Sequence, residues 1–207
     1  NRLLPGFFEV LSKHGVPFRC LVLNLAFGIL VVLFVPFAES VALNGAAITL
    51  SFCAGPIAVY ALRTQYPEAE RKFRLPAVQF LAPFGFVVAT LIVYWSSWST
   101  TWRLGLVVLA GLAYYGVRKV MEKTPYSELD VAEARWLVPY AVGLGACSFA
   151  GDFGGKGWLA FPFDMITLVV IALGTFVYAQ RCRLPQERAE LYRDRYATPL
   201  PVDSTPL

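Results

Sequence analysis

Residues 20–37 read CLVLNLAFGILVVLFVPF, and residues 41–62 follow without a single charged side chain. A stretch that is apolar on every face must be covered on every face, by a large protein core or by lipid. At about 1.5 Å per helical residue, roughly 20 residues cross the ~30 Å hydrocarbon layer of a bilayer. Only helices and closed barrels satisfy their own backbone hydrogen bonds there. A barrel strand alternates apolar and polar residues over about ten positions, and these runs do not alternate. They predict helices.

Composition decides between core and lipid. Hydrophobic residues make up 57% of the chain and charged residues 15%, against roughly 45–50% and about 25% in an ordinary globular domain. Too little polar chain remains to cover such helices in water. The sequence therefore predicts an all-α integral membrane protein with six transmembrane helices, over residues 20–37, 41–62, 76–95, 100–117, 136–152 and 161–179. Residues 1–19 read as a cytoplasmic segment with a short interfacial helix opened by Pro5 and stopped by Gly15 and Pro17. Residues 180–207 read as a cytoplasmic tail: a short solvated helix near residues 186–196, then an end expected to be disordered around Pro199, Pro201 and Pro206.

Two of the six stretches, the fourth and fifth, are marginal by length, and the loop charges supply an independent test. With the N-terminus inside, the inner segments hold sixteen basic residues, among them Arg63, Arg71, Lys72, Arg118, Lys119, Arg135, Arg181 and Arg183; the outer ones hold only Arg103 and Lys156. That asymmetry is what the positive-inside rule predicts for an even number of crossings with both termini inside. Dropping either short span alone would put basic blocks on the wrong side. Trp95, Trp98, Trp102 and Trp158 fall at the outer boundaries and Trp136 at an inner one, where amphipathic rings prefer to sit. The net charge of +4 is spread over several loops, so it encodes orientation and points to no nucleic acid.

Chemistry-bearing groups are sparse. Cys20, Cys53, Cys147 and Cys182 form no C-x-x-C pair, and His14 is the single histidine, so no metal or cofactor is expected. Asp164 near the start of the sixth stretch and Glu39 at the first outer turn are the ionisable groups closest to the apolar layer, and both read as solvated at the interface. Asn24, Asn44, Thr49 and Ser51 read either as interhelical hydrogen-bonding groups or as the lining of a polar path. Gly55-Pro56 should free carbonyls and kink the second helix. Ala54 with Ala58, and Ala141 with Gly145, have the spacing that lets helices approach closely. Asp130 and Glu133 read as a capping box for the fifth helix. The loop GDFGGKG at residues 151–157 lacks the Lys-Ser/Thr ending and preceding strand of a phosphate cradle. No catalytic pair, metal cluster or relay of acids is evident, so an enzyme is not expected and no catalytic residue is assigned.

The segments between the spans carry a resemblance. Arg2-Leu3-Leu4-Pro5, Phe7-Phe8 and Gly15-Val16-Pro17, followed after two apolar spans by Leu62-Arg63, Tyr66-Pro67-Glu68 and Arg71-Lys72-Phe73-Arg74-Leu75-Pro76, resemble inner segments of amino acid permeases of the amino acid–polyamine–organocation superfamily. Trp136-Leu137-Val138-Pro139-Tyr140, Phe153-Gly154-Gly155 and Phe161-Pro162-Phe163-Asp164 look like the extra C-terminal helices of fourteen-helix members of the aspartate–proton symporter type. The resemblance implies a LeuT-type fold in which this chain corresponds to helix nine onward. It also implies an amino acid substrate, and protons, in a full-length protein of the bacterial inner membrane. The glycine-rich unwound helices that grip the substrate in that family have no counterpart here, so no binding residue is transferred. Asn1 in place of Met is read as the start of a piece of something longer. A self-contained six-helix membrane protein with a binding or structural role stays open as the alternative, with a membrane-embedded enzyme behind it. Oligomeric state is not encoded in any legible way.

Overall fold

The computed structural model describes residues 16–68, 75–121, 133–186 and 188–190. The interfacial helix expected before residue 16, the inner block Arg71–Arg74, Asp130 of the expected capping box and the tail from residue 191 lie outside the described residues. The architecture is all-helical, in the order α1 (Phe18–Phe34), α2 (Phe37–Gln65), α3 (Val78–Trp95), α4 (Trp98–Met121), α5 (Leu137–Ala150) and α6 (Phe163–Arg181). A lone bridge between Gly151 and Leu159 is the extent of β pairing among the described residues.

Local chemistry sets the helix ends. The first apolar run was expected to continue to residue 37, but α1 stops at Phe34 because Pro36 follows. A residue before proline is pushed out of the α region, and Val35 sits at φ −116°, ψ 127°. Pro36, with its fixed φ, then leads directly into α2, so the connection is only Val35-Pro36. The same rule ends α2, where Tyr66 precedes Pro67 and leaves the helix at φ −128°. The turns at Ala77 (φ 48°) and Ser97 (φ 76°) use the left-handed region without glycine, at a cost of roughly 1–2 kcal/mol each. α5 opens behind Trp136 without a side-chain cap, and Glu133 is engaged elsewhere, by Arg188 at 3.7 Å.

α2, α3, α5 and α6 pack around Phe86, which is wholly buried. Its ring lies 5.3 Å from Tyr140, 5.8 Å from Phe176 and 6.3 Å from Trp136, and Tyr60 meets Phe176 edge-on at 5.6 Å. Such tilted and edge-to-face pairs add about 0.5–1.5 kcal/mol each beyond area burial. Close approach comes at two glycines. A Cβ on Gly143 would lie 2.5 Å from Cγ2 of Ile171, so α5 and α6 touch backbone to side chain; one on Gly85 would meet the Pro56 ring at 3.6 Å. The pairs expected to serve this purpose make no close approach among the described residues: Ala54, Ala58 and Ala141 are exposed, and a Cβ on half-buried Gly145 would meet nothing within 4 Å. Pro56 lies inside a continuous α2 and fills the space that Gly85 leaves on α3.

Contacts gather at the helix ends in two sets. Glu39 at the start of α2 pairs with Arg103 of α4, and the Trp98 amide donates to the Phe153 carbonyl at 3.1 Å. At the other ends, Arg63 Nη1 donates to the Leu75 carbonyl at 2.9 Å and Gln65 Nε2 to the Leu184 carbonyl at 2.5 Å. The helices thus run up and down between these two sets.

α1 stands apart. It has no buried residue, and Val32 and Phe34 are 79% and 78% exposed. Large side chains are also exposed along α4 (Leu106, Val107, Leu109) and α6 (Ile166, Val170, Val177). Contiguous apolar surface of this extent marks contact with a membrane or with other helices. Phe37–Gln65, Val78–Trp95 and Phe163–Arg181 are each long and apolar enough to cross a bilayer. The protein is a helical membrane protein.

Candidate functional site

Asp164 is the chemically most distinctive residue, and its surroundings correct the sequence reading. It was expected to be solvated at the interface; it is 0% exposed. Pro162 leads into α6 two residues earlier and sets the carboxyl at the helix N-terminus, where its Oδ1 accepts the Met165 amide at 2.7 Å. A carboxyl there is favoured by the partial positive charge of the helix end. The Tyr94 hydroxyl, from the last turn of α3, donates to Oδ2 at 2.5 Å.

The glycine-rich loop closes over this pair. The Gly151 amide returns to the Cys147 carbonyl (2.8 Å), the Lys156 amide to Phe149 (2.7 Å), the Gly157 amide to Gly151 (3.1 Å) and the Leu159 amide to Ala150 (2.9 Å). Gly154 and Gly157 sit at φ +72° and +66°, a region that L side chains avoid. Gly151 and Gly155 have no room for a side chain: a Cβ at Gly151 would overlap the Tyr94 hydroxyl, and one at Gly155 would lie 2.5 Å from the Phe149 and Ser148 carbonyls. Phe153 packs edge-on against Tyr94 at 5.4 Å, and Phe149 lies between Trp98 (5.3 Å) and Trp158 (5.7 Å). The loop is a lid held by its own backbone over a buried carboxyl, and no phosphate cradle.

A second buried polar node lies deeper. The Tyr140 hydroxyl of α5 is 3.2 Å from Thr90 Oγ1 on α3 and 3.5 Å from Cys53 Sγ on α2. The Thr90 hydroxyl donates to the Phe86 carbonyl at 2.8 Å and the Cys53 thiol to the Thr49 carbonyl at 3.6 Å. One hydroxyl therefore ties three helices, where hydrogen bonds between membrane helices average about 0.6 kcal/mol. Gln180 Nε2 of α6 reaches the Ile57 carbonyl at 3.2 Å, one residue past the proline of α2. Tyr94, Thr90, Tyr140 and Gln180 were all missed. Their signal was a hydroxyl or amide inside an apolar run, which carries less weight to the eye than a charge.

The other expected groups are not brought together. Glu39 keeps 45% exposure beside Arg103, in line with a solvated turn. Asn24, Asn44 and Ser51 are exposed, and Thr49 and Ser51 return their hydroxyls to the Gly45 (2.8 Å) and Ile48 (2.6 Å) carbonyls of their own helix. Asn24 lines an open apolar groove along α1, apart from the other three. Asn44, Ile48, Ser51, Gly55 and Ala58 instead form one exposed stripe of α2, opposite buried Ala46, Cys53 and Ile57. His14 lies outside the described residues. No group of three His, Cys, Asp or Glu residues able to hold a metal ion occurs among the described residues.

Two curated proteins match nearly the whole chain. The glutamate/serine transporter AimA of Bacillus subtilis (strain 168) is 28% identical over 183 residues, 86% of this chain and 34% of its own length. The aspartate-proton symporter of the same organism is 30% identical over 194 residues, 90% of this chain and 37% of its own. The chain is related to amino acid permeases. It spans about a third of the length of these relatives, and matches of this coverage fit the C-terminal part of such a permease. No family model and no solved structure matches. Against this permease background, the buried Tyr94–Asp164 and Tyr140 nodes are interhelical fastenings within a transporter-related bundle, and the relatives are named as transporters rather than as enzymes.

Proposed function

We propose that this chain is the helix-nine-onward part of a secondary active amino acid transporter, proton-coupled, in the bacterial plasma membrane. The observation that carries the reading is the pair of matches, each covering about nine tenths of this chain and each to a protein named for amino acid transport. Proton coupling follows the name of one of them, the aspartate-proton symporter.

In this reading residues 20–179 form a six-helix membrane domain of LeuT type, flanked by cytoplasmic segments 1–19 and 180–207. The bilayer bounds this domain, which is scaffold rather than engine. α1, with no buried residue, and the Asn44–Ser51–Gly55–Ala58 stripe of α2 await other helices: small and hydroxyl-bearing residues are the groups that membrane helices use to pack. α3 to α6 are peripheral, held by the core around Phe86 and by the two polar nodes. Transport proceeds by rocking a substrate-binding bundle against such a scaffold. The sixteen-to-two distribution of basic residues supports an orientation with Glu39, Arg103 and the Gly151–Gly157 loop outside and both ends of the chain inside.

Uptake of labelled aspartate, glutamate and serine by cells expressing the intact gene tests the reading. Accumulation of at least one of them, abolished by a proton uncoupler, is expected. Absence of uptake of any amino acid would favour a self-contained membrane protein instead.

A further inference from the structure

A shallow, open groove of about 650 Å³ runs along the outer face of the α5–α6 pair, lined by Pro139, Val142, Gly143, Ile171, Gly174 and Tyr178, with Thr175 as its further polar member. Its floor is the seam where Ile171 lies against Gly143, and Gly174 leaves open space: a Cβ there would meet nothing within 4 Å. The lining is almost wholly apolar and faces away from the core.

One end of the groove is basic. On α6, Ile171, Gly174, Tyr178 and Arg181 follow one another at three- and four-residue steps, which places them on one helix face. On the approach to α5, Arg135, Pro139 and Val142 have the same spacing, and Trp136 between them already has helical backbone angles. Both stripes end in an exposed arginine. Neither Arg135 nor Arg181 has an acidic partner among the described residues; Glu133, two residues away, is engaged by Arg188 at 3.7 Å.

We infer that this groove is a binding site for an anionic phospholipid, with an acyl chain along the Gly143–Ile171 seam and the headgroup phosphate between Arg135 and Arg181. Charge complementarity selects this occupant: an apolar slot ending in two cations fits one molecule with an apolar tail and an anionic head. Basic pockets between membrane helices on the cytoplasmic side bind anionic headgroups in this way, and arginine holds phosphate through two parallel hydrogen bonds. The inference rests on the membrane placement of α5 and α6 proposed above.

Native mass spectrometry of the full chain released from nanodiscs of equal phosphatidylglycerol and phosphatidylcholine tests it. Retained phosphatidylglycerol should exceed phosphatidylcholine at least five-fold. The R135Q/R181Q double variant should bring the two level, and G174L, which fills the groove, should reduce retention of both. Equal retention of the two lipids by the unaltered chain, or a phosphatidylglycerol preference unchanged in the double variant, would overturn the inference. So would a two-copy mass that G174L returns to one, which would make the groove a self-contact. A chain that fails to enter nanodiscs at all would instead refute the membrane placement on which the groove's lipid depends.

Discussion

Tyr94 and Asp164 are seventy positions apart, and one hydrogen bond of 2.5 Å between them joins α3 to α6 beneath the glycine-rich loop. Removing one partner of a buried hydrogen bond leaves the other unsatisfied, at a cost of about 1–3 kcal/mol. Tyr94→Phe should therefore lower stability by about that amount, measured as unfolding in mixed micelles of increasing denaturing detergent. An unchanged midpoint would mean that the pair does not fasten the helices. The sequence made Asp164 conspicuous as a carboxyl in an apolar run, yet it was read as solvated. Nothing local to residue 164 identifies the hydroxyl that covers it, because that partner arrives through tertiary packing. The four glycines of the loop were similarly visible without their purpose, which depends on the Tyr94 hydroxyl and on carbonyls of α5 that only the folded chain brings near.

At the scale of elements, hydrophobic runs locate helices well and their ends less well. Six apolar stretches were legible, and each is overlain by a helix, since every stretch lacks the polar breaks that would stop one. The ends moved where proline dictates: Pro36 cuts α1 short and opens α2, while the second run continues beyond its apolar part to Gln65 because Arg63 and Thr64 have adequate helix propensity. Which glycines allow close packing was not legible. Small-residue spacing pointed to Ala54, Ala58 and Ala141, but the face a membrane helix turns inward is not marked by polarity contrast when both faces are apolar. Gly143 against Ile171 is the contact the fold uses. Gly143→Leu should overpack this seam and destabilise by about 1–3 kcal/mol, whereas Ala54→Leu, on an exposed face, should change the same unfolding midpoint little in this chain. The reverse order of effects would place the α5–α6 contact elsewhere.

At the scale of the whole molecule, an up-and-down bundle and the charge asymmetry of its loops go together. The contacts group Glu39, Arg103 and Phe153 at one set of helix ends and Arg63, Gln65, Glu133 and Arg188 at the other. The proposed orientation then makes a prediction for thiol labelling, with Cys20, Cys53 and Cys147 replaced by alanine. A membrane-impermeant maleimide should label Trp158→Cys in intact cells, and Cys182 only after the membrane is opened. Labelling of Cys182 in intact cells would reverse the topology. The substrate-binding machinery was not legible for a physical reason: among the described residues, Tyr94, Thr90, Tyr140 and Gln180 fasten the chain's own helices, while Asn24, Asn44 and Ser51 face outward from α1 and α2.

The most direct measurement compares two proteins in the same proton-loaded vesicles, the product of the intact gene and the 207-residue chain alone. Accumulation of labelled amino acid is expected for the intact product, and none above empty vesicles for the chain alone. Accumulation by the chain alone would contradict this, because a scaffold would then be carrying out the transport assigned to its partner helices.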